Sequence, residues 1–264
     1  MSLLSELVAI DSVNPSLVPG AAGEAEIAQF VASWLKDAGL QTTLAEIAPG
    51  RPNVIARLPG KGGGRSLILN AHMDTVGVAG MENPFGPRVE GDRLYGRGAH
   101  DMKSGLAAIM LACRSVVRAG GASGEVWLTA VMDEEYASLG TQAVVASLSA
   151  DGAIVTEPTD LRICVAHKGF AWATIETTGS AAHGSRPELG IDAIAHMGRV
   201  LGEMESLQQE LASRAAHPLL GYGSIHASLI DGGQELSSYP ASCRLQVERR
   251  TIPGETADSV IEEL

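Results

Sequence analysis

Glu125-Val-Trp-Leu-Thr-Ala-Val-Met-Asp-Glu-Glu135 is an apolar run closed by acids, the pattern of a strand that carries carboxylates to the edge of a buried sheet. Glu134 and Glu135 then stand side by side at that strand end. Two neighbouring carboxylates held in a cleft disfavour each other's ionised form unless a cation or a shared proton relieves them. A divalent metal is the partner that relieves them best.

Upstream, Ser66-Leu-Ile-Leu-Asn70 reads as a short buried strand that runs into Ala71-His-Met-Asp74. The spacing points His72 and Asp74 the same way. An imidazole that binds metal through one nitrogen usually gives its other N–H to a carboxylate, so Asp74 is the expected orienter of His72. Between these strands, the glycine-punctuated stretch Gly91 to Gly105 delivers Asp101 to the start of a helix expected from about Lys103 to Arg118. Further on, Ala153-Ile-Val-Thr156 is another brief apolar run, with Glu157 at its tip and Pro158 to stop it. Singly, these features read as turn or surface acids. Together they come from separate strand and loop ends of an α/β pattern, and in open α/β sheets the carboxyl-end edge is where ligands bind.

Imidazole and carboxylate donors without thiolates suit zinc, and also cobalt or manganese, in an open catalytic site. Cys113, Cys164 and Cys243 stand far apart with no Cys-x-x-Cys spacing and read as small buried or free thiols. His100, His167, His196, His217 and His226 have no comparable context and read as surface or packed residues.

The 264 residues, 45% of them hydrophobic, suffice for two domains with a sizeable core. A formal charge of −12 argues against nucleic acid or anionic membranes as partners. No stretch suggests a membrane span, and the opening Met1-Ser-Leu-Leu-Ser-Glu6 lacks the basic start of a signal peptide, so a cytoplasmic location is expected. A helix from about Glu24 to Lys36 has a buried face at Ile27, Phe30, Val31 and Leu35. Strands are expected near Thr42 to Ile47 and Asn53 to Leu58, and strand, helix and strand alternate from Ser66 to Val155, the order of a sheet covered by helices on both faces. The glycine-rich Leu58 to Ser66 lacks the order of a phosphate loop and reads as a flexible hairpin turn. After Lys168-Gly169 the pattern changes to an alternating run, Phe170 to Thr178, a helix near Ile191 to Leu211, strands near Ser224 to Ile230 and Cys243 to Thr251, and a last helix from about Glu255. The division expected is therefore a metal-bearing α/β domain over 1–169 and a small α+β domain over 170–264, one strand short of a split β-α-β layer.

Asn70-Ala-His-Met-Asp-Thr-Val76, Gly91-Asp-Arg-Leu-Tyr-Gly-Arg-Gly-Ala-His-Asp-Met-Lys103, Met132-Asp-Glu-Glu135, Thr156-Glu-Pro158 and Ala182-His-Gly-Ser-Arg-Pro-Glu-Leu-Gly190 follow one another over nearly the whole chain. In this order they resemble the zinc-dependent aminoacylases and carboxypeptidases of peptidase family M-twenty, which include acetylornithine deacetylases and succinyl-diaminopimelate desuccinylases. The resemblance implies a catalytic α/β/α domain with a central mixed sheet and an inserted lid that commonly makes a homodimer contact. It implies two zinc ions, one held by His72 and Glu157, the other by Glu135, with Asp101 bridging. It also implies Glu134 as general acid/base, and a cis peptide bond after the bridging acid, here Asp101-Met102. His183 becomes the donor to the oxyanion, often reaching a partner subunit's site, and Arg186 a fork for a substrate carboxylate. Read locally, His183 is a solvated turn residue and Arg186 a surface arginine before Pro187.

Relatives of this kind continue with a last lid strand and a return to the catalytic sheet, bringing a C-terminal histidine that completes the second metal site. None of the seven histidines here takes that place, so a weakly held or missing second metal and exposed apolar layer edges are expected. The function read from the chain is hydrolysis of the amide bond of an N-acyl amino acid or small peptide by metal-activated water with a glutamate base. The alternative is a truncated, non-catalytic chain that binds one metal or serves as a dimerising module.

Overall fold

The computed structural model describes residues 2–264. It divides into two compact units, one ending at Arg162 and the other spanning Ile163–Leu264.

The first unit opens with helices α1 (Leu3–Val8) and α2 (Ala25–Asp37) and the strands β1 (Gln41–Ala48) and β2 (Arg51–Leu58). It continues with β3 (Leu67–His72), the short strands β4 (Arg88–Glu90) and β5 (Arg93–Tyr95), α3 (Lys103–Arg118), β6 (Val126–Val131), α4 (Leu139–Ser147) and β7 (Gly152–Val155). One sheet runs in the order β1-β2-β6-β3-β7. Its first pairings, β1 with β2 and β2 with β6, are antiparallel, whereas β6 with β3 and β3 with β7 are parallel. The sheet is therefore mixed, and the fold is α/β.

Alternation along the strands decides which helices go where. Val54, Ala56, Leu128 and Ala130 point to one face, where they are buried with Leu7 of α1, Ile27, Val31 and Leu35 of α2, and Leu106 and Met110 of α3. Asn53 and Thr129 alternate with these and point to the opposite face. There the Asn53 amide donates to the Gly140 carbonyl of α4 at 2.8 Å and its oxygen accepts the Met132 N–H at 3.0 Å. Helices thus cover both faces.

Parallel pairing carries a direct consequence for function. β3, β6 and β7 lie side by side and run the same way, so their carboxyl ends, with the residues that follow them, meet at one edge.

Two expectations are corrected. The segment from Leu58 to Ser66 is not a hairpin turn, because β6 lies between β2 and β3. It is a crossing loop that packs on the turn before β6, with Lys61 N–H donating to Ala122 O and Gly62 N–H to Ser123 O, both at 3.0 Å. Glycine is needed for that approach: a Cβ on Gly64 would lie 2.3 Å from Gly124 N, and one on Gly124 only 1.8 Å from Arg65 O. The stretch from Gly91 to Gly105, read as a glycine-punctuated loop, begins instead with β5, which pairs back on β4 in a hairpin where Arg88 pairs with Tyr95.

The second unit holds β8 (Gly169–Thr178), α5 (Ala193–Ser213), β9 (Ser224–Gly232), β10 (Ser242–Thr251) and α6 (Ala257–Glu263). The strands form an antiparallel sheet in the order β8-β10-β9. One face buries Leu245, Val247 and Ile225 against Met197, Met204 and Leu211 of α5. Arg249 is buried and bound to Glu255 at 2.6 Å and Glu263 at 3.0 Å, which ties α6 to β10.

Gly124→Ala is expected to destabilise the first unit by about 1–3 kcal/mol, because the loop backbone must move to admit the methyl. Urea unfolding should show a lower midpoint at unchanged slope; a midpoint equal to the parent's would count against the tight crossing.

Candidate metal centre

His72 ends β3 and is almost wholly buried, with 1% of its side chain exposed. Its Nδ1 lies 2.9 Å from the main-chain carbonyl of Asp74, which fixes the ring and leaves Nε2 facing the sheet edge. Around Nε2 stand Asp101 Oδ1 at 3.1 Å, Glu134 Oε2 at 3.7 Å and Glu157 Oε1 at 3.7 Å. Each comes from a different element: Asp101 from the loop before α3, Glu134 from the turn after β6, Glu157 from the end of β7.

The expected role of Asp74 as carboxylate orienter of His72 is met by a different atom. Its carboxylate lies 3.6 Å from Nδ1, beyond a hydrogen bond, and is committed elsewhere. Oδ1 accepts the Glu134 N–H at 3.0 Å and Oδ2 the Glu135 N–H at 3.1 Å. Asp74 therefore clamps the backbone of the Glu134-Glu135 pair onto the end of β3. Asp133, just before the pair, has φ +63°, a left-handed conformation that Asp tolerates better than most residues and that turns the chain out of β6.

The Asp101-Met102 peptide bond is cis, and Met102 is buried with its sulfur 3.1 Å from the His72 N–H. Helix α3 then approaches β7 closely: a Cβ on Gly105 would lie 2.2 Å from Thr156 O. Bare backbone at that position lets the Asp101 loop and the Glu157 strand end share one small space.

Two overlapping triads result. One donor atom each from His72, Glu134 and Glu157 lie within 4.8 Å of one another, and so do donor atoms from His72, Asp101 and Glu135. The acids repel as they gather. Burial, with the charges of Asp101 and Glu134 among its neighbours, pushes Glu135 up to about 7 and Glu157 likewise to about 7, against the pull of His72. Burial opposes the charged form of His72, but its hydrogen bond to Asp101 and the charges of Asp74, Glu134 and Glu157 outweigh that and raise it to about 9. Asp101 is held below its ordinary value, first by that bond to His72. One imidazole and a surplus of carboxylates, with no thiolate, fit a divalent cation.

Reading the chain alone missed the residues that frame this centre. Arg51 lies at the start of β2 and binds Glu24 at 2.6 Å and Asp133 at 3.1 Å. Asn14 bonds Asp74, Asp133 and Arg51. Nothing in the local pattern of Asn14-Pro15-Ser16 distinguishes it from an ordinary turn. His183 and Arg186 belong to the second unit, where both are exposed. The His183 Nδ1 is 2.8 Å from Ser185 Oγ, and the Arg186 guanidinium pairs with Glu188. Cys113 and Cys243 are buried and Cys164 exposed, all as free thiols.

A histidine and gathered carboxylates at the carboxyl edge of a mixed sheet are a candidate metal site, and they fit the class of hydrolases acting on amide bonds to which the chain's family model points. Its family model, Peptidase family M20/M25/M40, matches residues 68–258, and the chain belongs to that family. Acetylornithine deacetylase of Vibrio campbellii is 32% identical over 259 residues, 95% of this chain and 67% of that protein. Acetylornithine deacetylase of Photorhabdus laumondii is 30% identical over 265 residues, 97% of this chain and 68% of that protein. The chain thus spans about two thirds of the length of these relatives. Among solved structures, an M20 family metallo-carboxypeptidase from Sulfolobus solfataricus superposes with a TM-score of 0.77 at 18% identity, covering 98% of this chain and 72% of its own. Human carnosine dipeptidase 1 gives 0.74 at 15% identity, covering 98% and 71%. These structures share the fold.

The raised carboxyls set a pH dependence. A group raised in the folded state contributes stability that is present below its unfolded value and lost as pH rises through its folded value. For Glu135 and Glu157 that loss runs from about pH 4.5 to about 7 in metal-stripped protein. Bound zinc favours the ionised acids and neutral His72, so the melting-temperature gap between zinc-loaded and chelator-treated protein should widen from about pH 5 to about pH 8. A gap independent of pH would contradict this arrangement.

Proposed function

We propose that the chain cleaves the amide bond of small N-acyl amino acids or related peptides, most like an acetylornithine deacetylase, with one or two divalent metals at the His72 centre. The observation that carries this reading is the convergence of Asp101, Glu134 and Glu157 on Nε2 of His72, with a Glu135 oxygen in one cluster with His72 and Asp101. The relatives at 32% and 30% identity support the acyl-amino-acid class.

His72 and Glu157 would hold one metal, Glu135 the other, and Asp101 would lie between them. Zinc is the first choice for this donor set, with cobalt and manganese as alternatives. Bound there, a divalent ion supplies Lewis acidity, acidifying a water and polarising the amide carbonyl.

The chain's own part is to hold ligands and move a proton. Glu134 is partly exposed, with 41% of its side chain open, so its carboxylate is accessible to water as well as near His72. It takes the proton of the attacking water and returns it to the leaving nitrogen, so that acid and amine are formed with no net change in the enzyme. The clamp from Asp74 to the Glu134 N–H fixes the backbone from which that carboxylate reaches out. His183 as donor to the oxyanion and Arg186 as the fork for a substrate carboxylate belong to the same reading and rest on their motif. A homodimer through residues 163–264 is consistent with outer strand β9, on which Leu229 and Ile230 are exposed. A cytoplasmic location belongs to the same proposal. No described helix is long and apolar enough to cross a membrane.

Two substitutions test the division of labour. Glu134→Gln should lower turnover of an N-acetyl amino acid by at least about 100-fold while metal per chain, read by atomic emission, stays unchanged. Turnover near the parent rate would remove Glu134 as the proton carrier. Asp101→Ala should instead reduce metal per chain, and unchanged stoichiometry would exclude it as a ligand. Metal binding by the parent without hydrolysis of acetylated or succinylated amino acids would favour a non-catalytic metal-binding or dimerising module.

A further inference from the structure

A strap ahead of α2, residues 10–16, runs beside the candidate metal centre and bonds the residues that flank it. Lys103, buried two residues beyond Asp101, donates from Nζ to the Ile10 carbonyl at 2.8 Å. The Thr75 N–H donates to Ser12 O at 3.0 Å and the Asn14 N–H to Thr75 O at 2.9 Å, so the strap lies along the chain just after His72 and Asp74. The strap lies outside the part of the chain that the family model matches.

Asn14 is its centre. The side chain is wholly buried and every hydrogen-bonding position is used. Nδ2 donates to Asp74 Oδ2 at 2.7 Å and to Asp133 Oδ1 at 3.2 Å. Oδ1 accepts from Arg51 Nη2 at 3.1 Å and from the Ser16 N–H at 2.9 Å. Charge fixes this orientation, since a flipped amide would turn its oxygen toward two carboxylates and its NH2 group toward a guanidinium. The same Asp74 carboxylate that Asn14 grips accepts the N–H groups of Glu134 and Glu135. Asn14 also grips Asp133, the residue whose left-handed turn aims that pair.

We propose that Asn14 is a positioning residue of the metal centre, holding the Asp74 and Asp133 carboxylates together and through them setting where Glu134 and Glu135 stand. The Asn14 amide bonds both acids at once. Without its amide, the two acids face each other with one donor fewer, and the Glu134-Glu135 backbone loses its fixed support. The proposal rests on the reading of His72, Asp101, Glu134, Glu135 and Glu157 as a metal-dependent hydrolytic site, but its test does not depend on turnover.

The test compares the parent, Asn14→Ala, Asp74→Ala and the double variant for cobalt(II) affinity by titration calorimetry, cobalt visible absorption and thermal melting. Asn14→Ala should weaken cobalt binding about 10-fold or more and alter the absorption bands, because the acids have moved. The double variant should lose less cobalt affinity than the sum of the two single losses, because Asn14 acts in part through the Asp74 carboxylate. Parent-like affinity and spectrum in Asn14→Ala, even with a lower melting temperature, would reduce Asn14 to a structural residue and overturn the proposal; so would full additivity with Asp74→Ala. Should Asn14→Ala fail to fold, Asn14→Ser retains one hydroxyl donor and should bind cobalt with intermediate affinity, whereas parent affinity would overturn the assignment. Where the parent hydrolyses N-acetyl amino acids, Asn14→Ala should lower kcat about 10-fold with KM within about twofold. A parent that binds cobalt but hydrolyses none of them would count against the hydrolase reading alone, with the cobalt comparison still deciding Asn14.

Discussion

The two hydrogen bonds from the Glu134 and Glu135 backbone to the Asp74 carboxylate are the joint on which the candidate metal centre depends. They fasten the turn after β6 to the end of its parallel neighbour β3, so a pair of acids and the histidine of the candidate centre occupy one edge. A carboxylate accepting N–H groups this way favours its own charged form, even though burial pulls Asp74 in the opposite direction and leaves it raised. The joint therefore places still more negative charge beside acids that already repel one another, and a cation is its natural complement.

Arg51 neutralises Glu24 and Asp133, with Glu24 contributing two of its contacts in fork geometry. In the second unit Arg249 performs a similar task, buried against Glu255 and Glu263 to dock α6. In both units one guanidinium serves two carboxylates, a geometry for which its planar set of donors is suited and a lysine's is not. Such buried pairs define position more than they add stability, because taking the charges out of water costs most of what their attraction returns.

Much of the architecture was legible because hydrophobic period and strand-end acids are local signals. Helix α3 begins at Lys103 and ends at Arg118 as the pattern predicts, and β3, β6 and β7 end at His72, before Glu134 and before Glu157 as their apolar runs indicate. What misled was the glycine-rich crossing from Leu58 to Ser66. Glycine serves equally for a tight turn and for close backbone approach, and only the position of β6 between β2 and β3 separates the two. The frame of Asn14, Arg51, Glu24 and Asp133 was illegible for a similar reason, since its partners are as much as 119 residues apart in the chain.

By itself the order of residues determined the α/β class, the strand ends that carry acids, and the candidate set of His72, Asp74, Asp101, Glu134, Glu135 and Glu157, since each follows from a pattern contained in a few neighbouring positions. Tertiary structure alone decided which acids face which atom. It gave the Nδ1 of His72 to a carbonyl, the Asp74 carboxylate to two backbone N–H groups, and Asn14 to two acids at once. The physical reason is that hydrogen bonds are met between atoms brought within about 3 Å, and strand order, not sequence distance, sets which atoms those are.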